Sequence, residues 1–188
     1  MSSIRVFFAI IPPKTMNPLL ITILESLKQS LPEHWIRWTH VDNVHITLQF
    51  LKSIQSQDVP PLIERVHSEL KNTPKFQLDF HGLEWFPSVE HPKILSLAVG
   101  PKDILKNLSA IIGHAISALN YPVESRPFRG HMSLGRLPKF NLQQKNLLDE
   151  IRIPVIPPIF ISELYLMESK PSKGGINYHP LAQLNLIP

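Results

Sequence analysis

The sequence contains no cysteine, so neither a disulfide framework nor a thiolate-bound metal site is open to it, and the redox compartment is left undetermined. No apolar run reaches the roughly 18 residues that a membrane-spanning helix requires. Met-Ser-Ser passes directly into IRVFFAII with no cleavable leader pattern, and a cytoplasmic protein that does not engage a membrane is expected. Charge is scarce as well: charged residues make up 18% of the chain, with a formal net charge of +4, a mild basic excess that suits an anionic ligand without demanding one. What is present is apolar. A hydrophobic content of 43% over 188 residues fills one compact core, or two small lobes sharing a core, and excludes a disordered chain.

Periodicity divides the chain into alternating strands and helices. IRVFFAII (4–11) reads as a buried strand ended by Pro12-Pro13. Leu19, Leu20, Ile23, Leu24 and Leu27 give residues 14–31 one apolar helical face. A strand follows at 44–51, a helix at 57–72 with Pro60 and Pro61 in its first turn, and an alternating strand at 76–86. After Pro92 the order begins again: strand 93–99, helix 103–120, strand 130–137, short helix 141–151, strand 158–169. KPSKGG (170–175) reads as a turn or loop before a terminal strand, INYHPLAQLNL.

The two halves, approximately 1–90 and 91–188 with a boundary near Ser88–Pro92, therefore match element for element. An internal duplication within a single bilobal domain is expected. The fold class is α+β, with two pseudo-symmetric lobes, each an antiparallel sheet packed with helices, around a central cleft. The prolines fall at joints between elements, IPVIPP (153–158) among them, where they act as punctuation.

Within this frame one pattern recurs. NVHITLQF (43–50) and RGHMSLGR (129–136) each place a histidine, then a hydroxyl two residues on, in an apolar strand. Residues i and i+2 share a face, so His45 projects with Thr47, and His131 with Ser133, about 7 Å apart along the strand at roughly 3.3 Å per residue. If the halves pack about a pseudo-twofold axis, two imidazoles and two hydroxyls converge on one cleft, a grip for a tetrahedral anion. Imidazole titrates near neutrality and serves as acid or base. One ring would take a proton from attacking water and the other give one to a leaving oxygen, while the hydroxyls donate to non-bridging oxygens. No metal or other cofactor is required.

On HITL (45–48), HMSL (131–134) and their contexts RVFFAI, NVHITLQFL, SRPFRGHMSLGR and ELYLMESKPSKGGINYHPL, the chain resembles the RNA 2′,3′-cyclic phosphodiesterases, or 2′-5′ RNA ligases, of the two-histidine phosphoesterase superfamily. The resemblance implies metal-independent hydrolysis of a 2′,3′-cyclic phosphate at an RNA end to a 2′-phosphomonoester, with reversible 2′-5′ ligation as its companion. It casts His45 as the acid that protonates the departing 3′ oxygen, His131 as the base, and Thr47 and Ser133 as phosphate holders. Serine stands at 133 where the family commonly has threonine, which keeps the donor and drops a methyl group. Arg136 resembles a phosphate-binding arginine, yet strict alternation turns it away from His131; Gly135 would resolve the conflict by allowing a bulge or strand end.

Plainer readings stand beside these. His40, His67, His81, His91, His114 and His179 lack the hydroxyl partner and are assigned to surface, helix or loop. Arg126 and Arg129 flank the second motif and either attract RNA phosphates or are solvated. Phe8 and Tyr178 are candidates to stack on a base, with core packing as the alternative for both. A non-catalytic RNA-end binder would use the same cleft. A histidine-ligated metalloprotein is disfavoured, since two strands offer two ligands where zinc generally takes at least three protein ligands. A monomer is expected.

Overall fold

Val6, Phe8 and Ile10 alternate with Phe7 and Ala9 along the first strand and all five are buried, which places β1 (Ser3–Ile10) inside a sheet with both faces covered. The structure is a computed structural model that describes residues 2–32, 34–138, 146–173 and 175–188. Pro18 opens helix α1 (Asn17–Ser30), which buries Leu20, Ile23, Leu24 and Leu27. Leu31 is extended ahead of Pro32, so the helix ends there. Strand β2 (Arg37–Trp38) is followed by β3 (Ile46–Gln55), α2 (Val59–Leu70) and β4 (Phe76–Phe86). The second half supplies β5 (Ile94–Gly100), α3 (Lys102–Ala118), β6 (His131–Arg136), the single turn α4 (Leu147–Glu150), β7 (Ile159–Ile161), β8 (Glu163–Ser172) and β9 (Gly175–Asn185).

The strands form one antiparallel path, β7-β4-β5-β6-β3-β1-β8-β9, with β2 paired to β6 off that path. Outward from the middle, β6-β5-β4-β7 on one side answers β3-β1-β8-β9 on the other. The two sides meet at a single bridge, Ile46 opposite Met132. β4 lies beside β5, and β8 beside β1, so each sequence half sends its last strands into the other lobe. A division at residue 90 thus separates sequence halves and not lobes. One apolar cluster runs through both sides, with Leu24, Leu62, Leu108 and Leu164 among its members.

Three expectations need correction. The first histidine strand begins at Ile46 and runs to Gln55, which leaves His45 one residue ahead of the ladder. The strand expected over 158–169 is two: β7 pairs with β4 and, after Ser162, β8 pairs with β1. KPSKGG is no free loop, because Lys170, Pro171 and Ser172 continue β8 in a hairpin with β9, entered at Gly175 with φ +133. Of the helix expected over 141–151, residues 141–145 lie outside the described residues. Among the described residues no helix is long and apolar enough to cross a membrane.

Candidate active site

Both histidines are tethered alike. The Nδ1 of His45 lies 2.7 Å from the carbonyl oxygen of Asn43, and the Nδ1 of His131 lies 3.1 Å from that of Arg129. A carbonyl only accepts, so each Nδ1 carries the hydrogen and each ring keeps Nε2 for other work. The Nε2 of His45 meets the Thr47 hydroxyl at 3.0 Å, so these side chains lean together instead of standing a strand repeat apart. The Ile46–Met132 bridge sets His45 and His131 diagonally across the junction. Diagonal neighbours in a regular antiparallel pair have Cα atoms about 7–8 Å apart, within reach of one phosphoryl group lodged between the rings.

The motifs also share a distortion. Along β1 and β3, Ala9 faces Thr47 but Phe8 faces Gln49, which leaves Leu48 unmatched. Along β5 and β6, Ser96 faces Ser133 but Leu95 faces Gly135, which leaves Leu134 unmatched. A bulge thus follows the hydroxyl residue in each motif and reverses the alternation beyond it. β5 alternates without interruption, so Ile94, Ser96 and Ala98 share a face, and so do their partners Arg136, Ser133 and His131. Arg136 is therefore on the histidine side. By the same argument Phe50, opposite Phe7, is on the side of Thr47. Ser109 of α3, 2% exposed, supports the first bulge: its hydroxyl donates to the Leu48 carbonyl at 2.8 Å, and the Gln49 amide donates back to Ser109.

Electrostatics favour the neutral form of both rings. Burial holds the pKa of His45 below its ordinary 6.5; the Asn43 carbonyl works against this, and the neighbouring His131 adds to it. His131 is lowered chiefly by burial and further by Arg129, against the Arg129 carbonyl and the charge of Glu84, which raise it. That His45 registers the charge of His131 agrees with the convergence set by strand register.

Several site residues escaped the sequence reading because they arrive from other strands. Phe86 stacks on His131 at 3.7 Å between centroids, and the Arg129 guanidinium lies over the Phe86 ring at 4.5 Å. Phe7 lies 4.8 Å from the His45 ring, and Tyr178 packs edge-on against both. Phe8 is fully buried in the core. Arg37 directly faces Arg136 across the β2–β6 pair; its only signal was a cation near the first motif. Beside Thr47 and His131 opens a groove of about 690 Å³ that is lined also by Phe50, Phe86 and Arg129. Among the described residues no group of three or more His, Cys, Asp or Glu side chains is disposed to hold a metal ion.

This α+β fold is that of known phosphoesterases. Escherichia coli LigT in its apo form superposes with a TM-score of 0.80 at 21% identity, with all of both chains covered; LigT has also been solved with phosphate and with 3′-AMP. RNA 2′,3′-cyclic phosphodiesterase of Aquifex aeolicus is 25% identical over 151 residues, 79% of this chain and 78% of that protein. Its counterpart from Thermotoga maritima is 24% identical over 119 residues, 63% of each chain, so the match spans less than two thirds of that relative. The family model of LigT-like phosphoesterases matches residues 10–96, which include the first histidine motif. Over that stretch, a little under half of its length, the chain is similar to the LigT-like phosphoesterases.

Proposed function

We propose that the protein is a cytoplasmic RNA 2′,3′-cyclic phosphodiesterase that opens the cyclic phosphate to a 2′-phosphomonoester by two-histidine acid–base catalysis. One observation carries the reading: two imidazoles, each fixed through Nδ1 to the carbonyl two residues upstream, belong to residues set diagonally across the bridge between the lobes. The names of the Aquifex and Thermotoga relatives support the substrate, and the phosphate and 3′-AMP complexes of E. coli LigT support a phosphate-bearing ligand for this fold.

In the proposed cycle the Nε2 of neutral His131 takes a proton from water as its oxygen attacks phosphorus. Protonated His45 gives its Nε2 proton to the 3′ oxygen as the P–O3′ bond breaks. Thr47 and Ser133 donate to the non-bridging oxygens, where charge accumulates, and Arg136 offsets that charge from the same face. The cycle ends with the proton on His131, and exchange with solvent restores the starting state. Run forward with the 5′ hydroxyl of a second strand in place of water, the same steps join RNA through a 2′-5′ linkage, and run backwards they cleave that linkage and restore the cyclic phosphate.

Product analysis tests the reading. An oligonucleotide ending in a 2′,3′-cyclic phosphate, incubated with excess chelator, is expected to give a 2′-phosphate at an unchanged rate. A 3′-phosphate product would reverse the assignment of the leaving oxygen, and loss of activity with chelator would replace the mechanism.

A further inference from the structure

The two sides of the cleft repeat each other across three strands. On one side Thr47 faces Ala9 and Ala9 faces Tyr165, a row from β3 through β1 to β8. On the other Ser133 faces Ser96 and Ser96 faces Glu84, the matching row from β6 through β5 to β4. Directly opposed residues share a face of the sheet, so both rows lie on the side of the histidines. The rows correspond in place and differ in charge. Burial, together with the hydrogen bond it donates to Glu163, raises the pKa of Tyr165 to about 12, so that side chain stays neutral. In the equivalent place Glu84 brings a carboxylate.

Glu84 is held firmly there. Ser96, with no exposed surface, donates its hydroxyl to Oε1 at 3.3 Å, and the Arg129 guanidinium stands 3.5 Å from Oε2. Arg129 also lies over the Phe86 ring, which stacks on His131, and its carbonyl takes the Nδ1 hydrogen of that histidine. A carboxylate beside a site for phosphate repels the ligand, so substrate binding does not explain its presence. Around His131 stand Glu84 from β4, Arg129 from the segment before β6, Arg136 further along β6 and His45 across the junction, while β5 brings the uncharged Ser96 and Ala98. At the His131 ring the charge of Glu84 favours the protonated form and outweighs that of Arg129, which opposes it. At the His45 ring the charge that acts is that of His131, and it opposes protonation.

Resting on the activity proposed above, we infer that Glu84 is a positioning residue for the base step: held by Ser96 and Arg129, it stabilises the positive charge that His131 acquires when its Nε2 takes the proton from water. Arg129 limits the same effect, so that the ring is not already charged when water arrives. His45 starts charged and ends neutral, and the neutral Tyr165 occupies the corresponding place on its side. The difference between the two rows thus matches the difference between the two roles.

Two substitutions separate charge from shape. Glu84→Gln keeps the size and an acceptor for Ser96 but removes the charge, whereas Glu84→Asp keeps the charge and shortens the reach. The ring titrations of His131 and His45 are followed by NMR, which needs no turnover, and kcat and KM are measured on an oligonucleotide ending in a 2′,3′-cyclic phosphate. Glu84→Gln is expected to lower the pKa of His131 by more than it moves that of His45, and to lower kcat about tenfold. KM should hold or improve, because a negative charge beside the phosphate is gone. Glu84→Asp should retain more of the wild-type kcat and His131 pKa than Glu84→Gln does. A side chain that only seats Arg129 by its shape predicts the opposite order; that order, or a Glu84→Gln protein with wild-type kcat, would overturn the inference. If the wild type leaves the cyclic phosphate intact while Glu84→Gln still lowers the His131 pKa, the activity falls and the action of Glu84 on the ring stands.

Discussion

A histidine whose Nδ1–H is held by a backbone carbonyl has one nitrogen left for chemistry, and His45 and His131 are both in that state. Replacing either with alanine removes one proton-transfer step and should lower kcat by about 10²–10⁴, read in single-turnover assays, with the double variant scarcely worse than the single ones because the two rings act as a unit. A variant pair that still turns over normally would refute the roles. The pH profile follows from burial. Catalysis needs one ring charged and one neutral, a combination most populated between the two pKa values, and both lie below 6.5 in the free protein. The profile of kcat/KM should therefore peak on the acid side of pH 6.5 and fall about tenfold per unit well above it; a plateau through pH 8 would contradict this. The histidines and hydroxyls were legible because alternation puts i and i+2 on one face. Phe7, Phe86, Glu84 and Arg37 were not, because nothing in local sequence says which distant strand lies alongside.

At the scale of the element, the matched bulges at Leu48 and Leu134 explain why alternation failed for Arg136. Gly135 signalled the bulge of the second motif, which leaves Leu134 unmatched, whereas the bulge at Leu48 has no glycine beside it and is a property of the strand pair alone. Gly135 follows the unmatched residue and has its own constraint: a Cβ there would meet Ile36 Cγ2 at 2.3 Å and the Arg37 carbonyl at 3.1 Å. Gly135→Ala should cost about 1–3 kcal/mol of stability by overpacking, measured by urea unfolding, and should weaken phosphate binding as β2 and Arg136 shift together. Ser109→Ala leaves the Leu48 carbonyl without its buried partner. The expected loss is about 1–3 kcal/mol, with a fall in kcat on top because Thr47 adjoins the bulge. Stability lost with kcat intact would assign Ser109 a packing role alone. Most helices and strands were readable within a few residues. The break at Ser162 was not, since an unbroken apolar alternation conceals that its two parts pair in opposite lobes.

Over the whole molecule, the strand path reads alike from its middle outward, and each half of the chain completes the lobe of the other. This arrangement supports the proposal that the chain arose by duplication of a half near 90 residues long. Exchange of the outer strands ties the lobes together, so the relation between the two imidazoles is built into the sheet. The central claim is that both rings address a single phosphate, and NMR titration of the His45 and His131 ring protons, with and without inorganic phosphate, tests it most directly. Phosphate is expected to raise both pKa values together, and His131→Ala is expected to raise that of His45 in its absence, since the repulsion between the rings is then gone. Rings that titrate independently, with only one responding to phosphate, would contradict the account.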